Sequence, residues 1–236
     1  TGNLSLTKRM KRKILPESTG TRTLVFGEVL FDALPDGTEE LGGAPFNVAW
    51  HLQGLGLQPL FVSRIGDDAK GRRVQDAMRS WDMDTAGLQQ DDGRPTGTVS
   101  VALHAGQHAF DILPDQAYDR IDADTALRAA TVGPVDVIYH GTLALRDPVS
   151  HAALRALRGK LDARVYVDLN LRSPWWSNAV VADALRDASW VKLNDAELRT
   201  VAGAPATTER QQARALRERC GSESVLVTRG ERGAFI

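Results

Sequence analysis

The sequence predicts an α/β protein, a mainly parallel sheet covered by helices with a small second sheet beside it. Three observations carry this. Past Arg22, short β-branched runs alternate with helical stretches, the pattern of parallel strands joined by helices. Between residues 96 and 112 the alternation gives way to two strand-like runs joined by a turn at Ala105-Gly106. The 236 residues, 42% hydrophobic and 25% charged, are enough for a sizeable core and unlike a disordered or fibrous chain.

Taken in order, residues 1–21 are expected to be a disordered leader rather than a nucleic-acid or membrane-surface arm. Lys8, Arg9, Lys11, Arg12 and Lys13 are followed by Pro16, Ser18, Thr19 and Gly20, with no apolar stretch of a signal peptide. Main-sheet strands are predicted at 24–31, 59–65, 135–140, 164–168, 190–193 and 225–228. Helices are predicted at 45–53, 69–81, 147–157, 180–187 and 209–219. The runs 96–103 and 107–112 make a flap, to which 32–41 adds a further strand. No internal repeat or composition break divides residues 22–236, which read as one domain.

Composition excludes several functions. With 29 Lys+Arg against 30 Asp+Glu, the net charge of -1 lacks the basic excess of a nucleic-acid binder. A single cysteine, Cys220, makes no internal disulfide and favours a reducing cytoplasm. No apolar run approaches the roughly 20 residues of a membrane span. There is no phosphate loop of the G-x-x-x-x-G-K-[ST] type, no dinucleotide fingerprint after a strand, and no zinc motif. His140, at a strand end, reads as a packed histidine rather than a ligand.

What remains is a set of polar residues where strands end, the edge at which open α/β sheets bind ligands. The first strand runs into Asp32. The 164–168 strand gives Asp168, then Asn170 and Arg172, and the next gives Lys192 and Asn194, with Glu197 beyond. The last gives Thr228 and Gly230. Acidic and amide groups suit sugar hydroxyls, and Asn194 with Glu197 at i and i+3 suits a hydrated magnesium ion. Each residue alone is also an ordinary cap or turn residue; their gathering at one edge favours a site. Gly42-Gly43-Ala44-Pro45-Phe46-Asn47 adds a glycine turn into a helix, whose exposed N–H groups and Asn47 can face a ligand.

Gly42 to Ala49, then Gly54 and Gly56, then Ile65-Gly66-Asp67-Asp68 and Gly71, resemble the first signature of the PfkB (ribokinase-like) carbohydrate kinases. Gly27-Glu28 with Asp32, Pro95-Thr96-Gly97, Asp168 to Arg172, Lys192 to Glu197, and Val227 to Ala234 match in order and spacing. Gly-Gly-Ala-Pro with Asp-x-Asn-x-Arg is most similar to the fructokinase branch. The resemblance implies a ribokinase-like three-layer α/β/α sandwich with a small β lid. It implies ATP-dependent phosphorylation of a sugar hydroxyl, D-fructose to fructose 6-phosphate first. 2-Keto-3-deoxygluconate or another sugar comes second, and a non-catalytic sugar-binding relative third.

By the same resemblance Asp32, Gly42, Gly43, Asn47, Asp168 and Asn170 hold the sugar. Arg172 lies beside sugar and transferred phosphate. Lys192, Asn194, Thr228 and Gly230 hold ATP, and Asn194 and Glu197 bear indirectly on Mg2+. Potassium is implied as a monovalent cation, and the lid as a homodimer contact, with no nucleic acid or membrane as partner. The family's Gly-Ala-Gly-Asp run, source of the anion hole and the aspartate base, is not among these residues. C-terminal incompleteness and an inactive chain are therefore expected. Asp67 and Asp68 are expected to cap the next helix rather than act as the base.

Overall fold

The computed structural model describes residues 22–104, 107–202 and 208–236. The leader, and the flap turn at residues 105–106, lie outside them.

The main sheet is built from β1 (Thr23–Phe26), β4 (Leu60–Gly66), β5 (Leu88–Asp91), β8 (Val137–His140), β9 (Arg164–Asp168), β10 (Trp190–Asn194), β11 (Ser224–Thr228) and β12 (Ala234–Phe235). Their order is β12-β11-β10-β9-β8-β1-β4-β5, and only β12 runs antiparallel to its neighbour. The smaller sheet contains β2 (Leu30–Ala33), β3 (Glu39–Gly42), β6 (Gly97–His104) and β7 (Gln107–Ile112), in the order β3-β2-β6-β7. Inside it β2 and β6 run parallel, flanked by antiparallel partners.

Alternation along each strand sends two sets of side chains to opposite faces. One set, including Leu24, Phe26, Ile138, Val167, Leu193 and Val227, packs beneath α3 (Ala123–Ala130), α4 (Pro148–Lys160), α5 (Asn178–Leu185), α6 (Asp195–Ala202) and α7 (Glu209–Cys220). The other, including Val25, Phe61 and Tyr139, meets Phe46 and Ala49 of α1 (Ala44–Gly54) and Val74 and Met78 of α2 (Ala69–Ser80). Farther along that second face Tyr139, Tyr166 and Trp190 form an aromatic row, with centroids 5.6 and 6.4 Å apart. Tyr166, Trp190, Lys192 and Leu226 are half-buried there. Among the described residues no helix is long and apolar enough to cross a membrane.

Several sequence expectations change here: the run 32–41 is the end of β2 and the start of β3 joined by a turn, and β5, α3 and α6 were not among the predicted elements. The predicted strand 24–31 is two strands in two sheets, broken at Gly27-Glu28. Gly27 has φ +148°, and a Cβ on it would sit 2.5 Å from Pro45 Cγ. The chain turns out of the main sheet at this point. Asp32 therefore belongs to β2 of the lid and does not end a main-sheet strand.

Candidate active site

The site grows from the seam where the lid leaves the sheet. Gly43 precedes α1 with φ +108°, and a Cβ there would lie 2.7 Å from the Glu28 carbonyl oxygen. Only glycine fits this turn against the end of β1. The helix opens with proline in its first turn and has no side-chain cap from Gly43. The Glu28 carboxyl sits at this helix start, where the Ala44 N–H and its own N–H favour its ionised form. Asn47, exposed in the first turn, closes that turn by donating its N–H to the Gly43 carbonyl at 2.9 Å.

Asp32 faces this turn from β2. Its Oδ2 lies 3.3 Å from where a Gly42 side chain would begin, so the glycine leaves room for the carboxylate. Burial raises the Asp32 pKa, Glu40 on the paired strand adds to the rise, and Arg172 opposes it. Arg172, exposed beyond β9, also acts on Glu28. Glu28, Asp32 and Arg172, from β1's end, the lid and the loop after β9, thus lie within electrostatic reach of one another.

Asp68 secures the lid's second attachment. It caps α2, its Oδ1 accepting from Gly71 N–H and the Thr96 hydroxyl, both at 2.7 Å, and its Oδ2 from Thr96 N–H at 2.8 Å. Burial works against its charge, but the hydrogen bonds from Thr96 and Gly71 outweigh it and hold the pKa down. With both oxygens committed, Asp68 is a cap and clamp, as its sequence context predicts.

On the sheet's second face Lys192 Nζ pairs with Asp168, at 3.0 and 2.8 Å, and the Tyr139 hydroxyl donates to Asp168 at 3.2 Å. The predicted sugar residue Asp168 and the predicted nucleotide residue Lys192 therefore form one ion pair. Asn170 has φ +42°, a left-handed conformation that asparagine tolerates better than most residues. It turns the chain from β9 toward Arg172.

Glu197 is buried and braces that turn. Its Oε1 accepts from Leu171 N–H at 2.7 Å and its Oε2 from Asn194 N–H at 2.8 Å, while Glu197 N–H donates to Asn194 Oδ1 at 2.8 Å. This reciprocal cap occupies both carboxylate oxygens with backbone donors. Among the described residues no group of three or more acidic, histidine or cysteine side chains could hold a metal directly. The donor set fits only water-mediated contact with a hydrated ion, through lone pairs the cap leaves over. Thr228 ends β11, its hydroxyl 3.5 Å from the Leu193 carbonyl, and exposed Gly230 follows with φ +57°.

His140 is fully buried with Nδ1 2.8 Å from the Gly141 carbonyl, and burial lowers its pKa to about 4, so it is a neutral packing residue. Beneath the lid lies a cluster the motifs do not announce. Arg146 makes two hydrogen bonds to Asp119, at 2.7 and 2.8 Å, and stacks over Trp175 at 4.4 Å. Its Nη2 also donates to the Tyr118 hydroxyl at 3.0 Å. Glu28, beside it, was legible only as the residue after a glycine at a strand end.

The chain resembles known proteins over nearly its whole length. It is 29% identical to a fructokinase of Escherichia coli, covering 90% of this chain and 72% of the relative. It is 27% identical to probable fructokinase-3 of Arabidopsis thaliana, with 78% of this chain matched to 60% of the relative's length, so it spans well under two thirds of that protein. In structure it superposes on the Vibrio cholerae O395 fructokinase in apo form with a TM-score of 0.77. The two are 26% identical, over 91% of this chain and 76% of that one. The Xylella fastidiosa fructokinase with bound ATP gives 0.73 at 25% identity, over 87% and 67%. The family model described as pfkB family carbohydrate kinase matches residues 24–236, from the first strand of the sheet through both attachments of the lid. With that match over most of its length, the chain belongs to the pfkB family of carbohydrate kinases.

Proposed function

We propose that the protein transfers the terminal phosphate of ATP to a sugar hydroxyl, with D-fructose as acceptor and fructose 6-phosphate as product. The observation that carries this reading is the convergence of Asp32, Arg172 and the Gly42-Gly43 turn from three elements at one seam. The relatives named fructokinase support the choice of sugar.

In this reading Asp32 accepts from sugar hydroxyls, and Asn47 and the Gly43 turn orient the ring. Asp168 and Asn170 line the sheet side. Arg172 offsets charge on the phosphate in transit, since phosphoryl transfer depends mainly on positioning and charge neutralisation. Lys192, Asn194, Thr228 and Gly230 face the nucleotide, and Asn194 with Glu197 orients water around magnesium. Magnesium, when bound, neutralises phosphate charge. Potassium is proposed as a second cation. We assign the base to none of the described carboxylates and propose sugar binding, rather than turnover, for these 236 residues by themselves. ADP release by them would identify a base among them.

The test is sugar-dependent ADP release across a panel of fructose, 2-keto-3-deoxygluconate, ribose and adenosine, with calorimetric binding of the same compounds. Fructose should bind to these residues and be phosphorylated by a chain that also carries the family's Gly-Ala-Gly-Asp run. Activity on ribose or adenosine with none on fructose would overturn the substrate. Binding without turnover in every form of the protein would favour a sugar-binding relative. The protein is proposed to work in the cytoplasm and to pair with a second copy through the lid, which sedimentation would show as a dimer.

A further inference from the structure

Glu28 is the one carboxylate at the seam to which the proposed function gives no task. Its side chain is 3% exposed, and its Oε2 has no hydrogen-bond partner among the described residues. The groups around it come from every neighbouring element. Ala44 N–H reaches it from α1, Arg172 from the loop after β9, and Arg146, itself paired with Asp119, from the turn after β8. The phenols of Tyr118 and Tyr139 also feel its charge. Arg146 Nη1 is likewise buried without a partner among the described residues. A buried carboxyl among two arginines and a helix start is placed to alter what they present to a ligand.

We propose that Glu28 is a positioning residue for the sugar half-site, and that its ionised form is the one that prepares the site. This role rests on the sugar-kinase reading. An ionised Glu28 gives the α1 start the charged cap that Gly43 cannot provide, fixing the turn that carries Gly43 and Asn47. It also holds the Arg172 guanidinium toward the opening beside Asp32. A protonated Glu28 weakens both effects and leaves an O–H without a buried acceptor.

When sugar fills the opening it displaces water from Arg172, and in the drier site the attraction between Arg172 and Glu28 strengthens. Sugar binding therefore pulls Glu28 toward the ionised state. Burial pushes the Glu28 pKa up to about 7, where this coupling falls within the physiological range.

The test is calorimetric titration of the protein with fructose from about pH 6 to about pH 8, for wild type and Glu28→Gln. If only the ionised form is competent, wild-type affinity rises about tenfold across this window, following the ionised fraction. Glu28→Gln, uncharged throughout, binds more weakly than wild type does even at pH 6, with a flat profile. In buffers of different ionisation heat, wild type near pH 7 releases a proton on binding sugar. That measurement stands if Glu28→Gln does not fold. A wild-type pH dependence retained in Glu28→Gln, or binding by wild type without proton release, overturns the role of Glu28 and leaves the sugar reading intact. Failure of wild type to bind any sugar of the panel at any pH instead overturns the sugar reading and this proposal with it.

Discussion

Asp32 is held in a state that suits a hydroxyl acceptor, half-buried yet kept from full desolvation by the open space over Gly42. Hydrogen bonds to a charged group contribute roughly 1.5–3 kcal/mol, so Asp32→Ala should raise the sugar KM about ten- to hundredfold. Steady-state kinetics on the variant check this, and an unchanged KM would make Asp32 structural. Glu197 carries a different expectation than its spacing suggests. Its oxygens accept the N–H groups of Leu171 and Asn194, so Glu197→Gln must set an amide donor against one of them, at a cost of about 1–3 kcal/mol. The variant should melt lower. Because Leu171 adjoins Arg172, its sugar KM should also rise along with any change in magnesium dependence. A shifted magnesium titration at wild-type sugar KM would show instead that the carboxylate acts on the metal alone.

The elements that matter most to the site are the turns between sheet and lid, and these were the hardest to locate from sequence. Apolar runs and caps identify β4, β9, α2 and α4 within a few residues, because one face of each is buried and the periodicity follows. The same reasoning fuses β1 with β2, since Leu24 to Phe31 is apolar apart from Gly27-Glu28, and a Gly-Glu pair does not by itself tell a strand of one sheet from that of another. What separates them is the close contact of Gly27 with Pro45, a residue eighteen positions away. α6 was marked only by its start at Asn194 and Glu197, because it begins at Asp195 directly after β10 without a loop, and α3 was not predicted. Gly43 and Asn47 stood out as candidate site residues because a glycine turn into a helix is a local feature, whereas Asp32 was expected to end a main-sheet strand and lies in β2 instead. The Arg146 cluster was not, because its partners assemble only through folding. At this scale Asp68 gives a clear test. Asp68→Ala removes a helix cap and the acceptor of two Thr96 hydrogen bonds, together about 2–4 kcal/mol. Thermal melting should fall accordingly, and hydrogen exchange should quicken at Thr96 and along β6. Loss of stability confined to α2 would mean that the lid does not hang on this carboxylate.

Across the whole molecule the site spans parts that fold for different reasons, the sheet edge on its buried core and the lid on a handful of turns. Glu28 sets the two against each other. Its carboxyl ionises near the ordinary 4.5 when unfolded but resists until about 7 when folded. Its contribution therefore favours folding below the lower value and is lost as pH rises through the upper one. Relative to Glu28→Gln, wild type should lose up to about 3 kcal/mol of stability across that interval, visible as diverging melting temperatures. Parallel curves would mean that the buried charge is not penalised. The charge that readies the sugar site would then be one that folding disfavours, a familiar trade between stability and function.

The helix that begins at this seam also carries its own optical marker at the far end. Trp50 of α1 and Trp81, just after α2, lie with ring centroids 5.1 Å apart and planes within 5°, the Trp81 Nε1 donating to the Trp50 carbonyl at 3.1 Å. Indoles this close share their electronic excitation, so the pair absorbs and rotates near-ultraviolet light differently from two isolated chromophores. Any shift of α1 against α2 as the turn at Gly43 tightens around a sugar would be written into that spectrum, with no label attached to the protein.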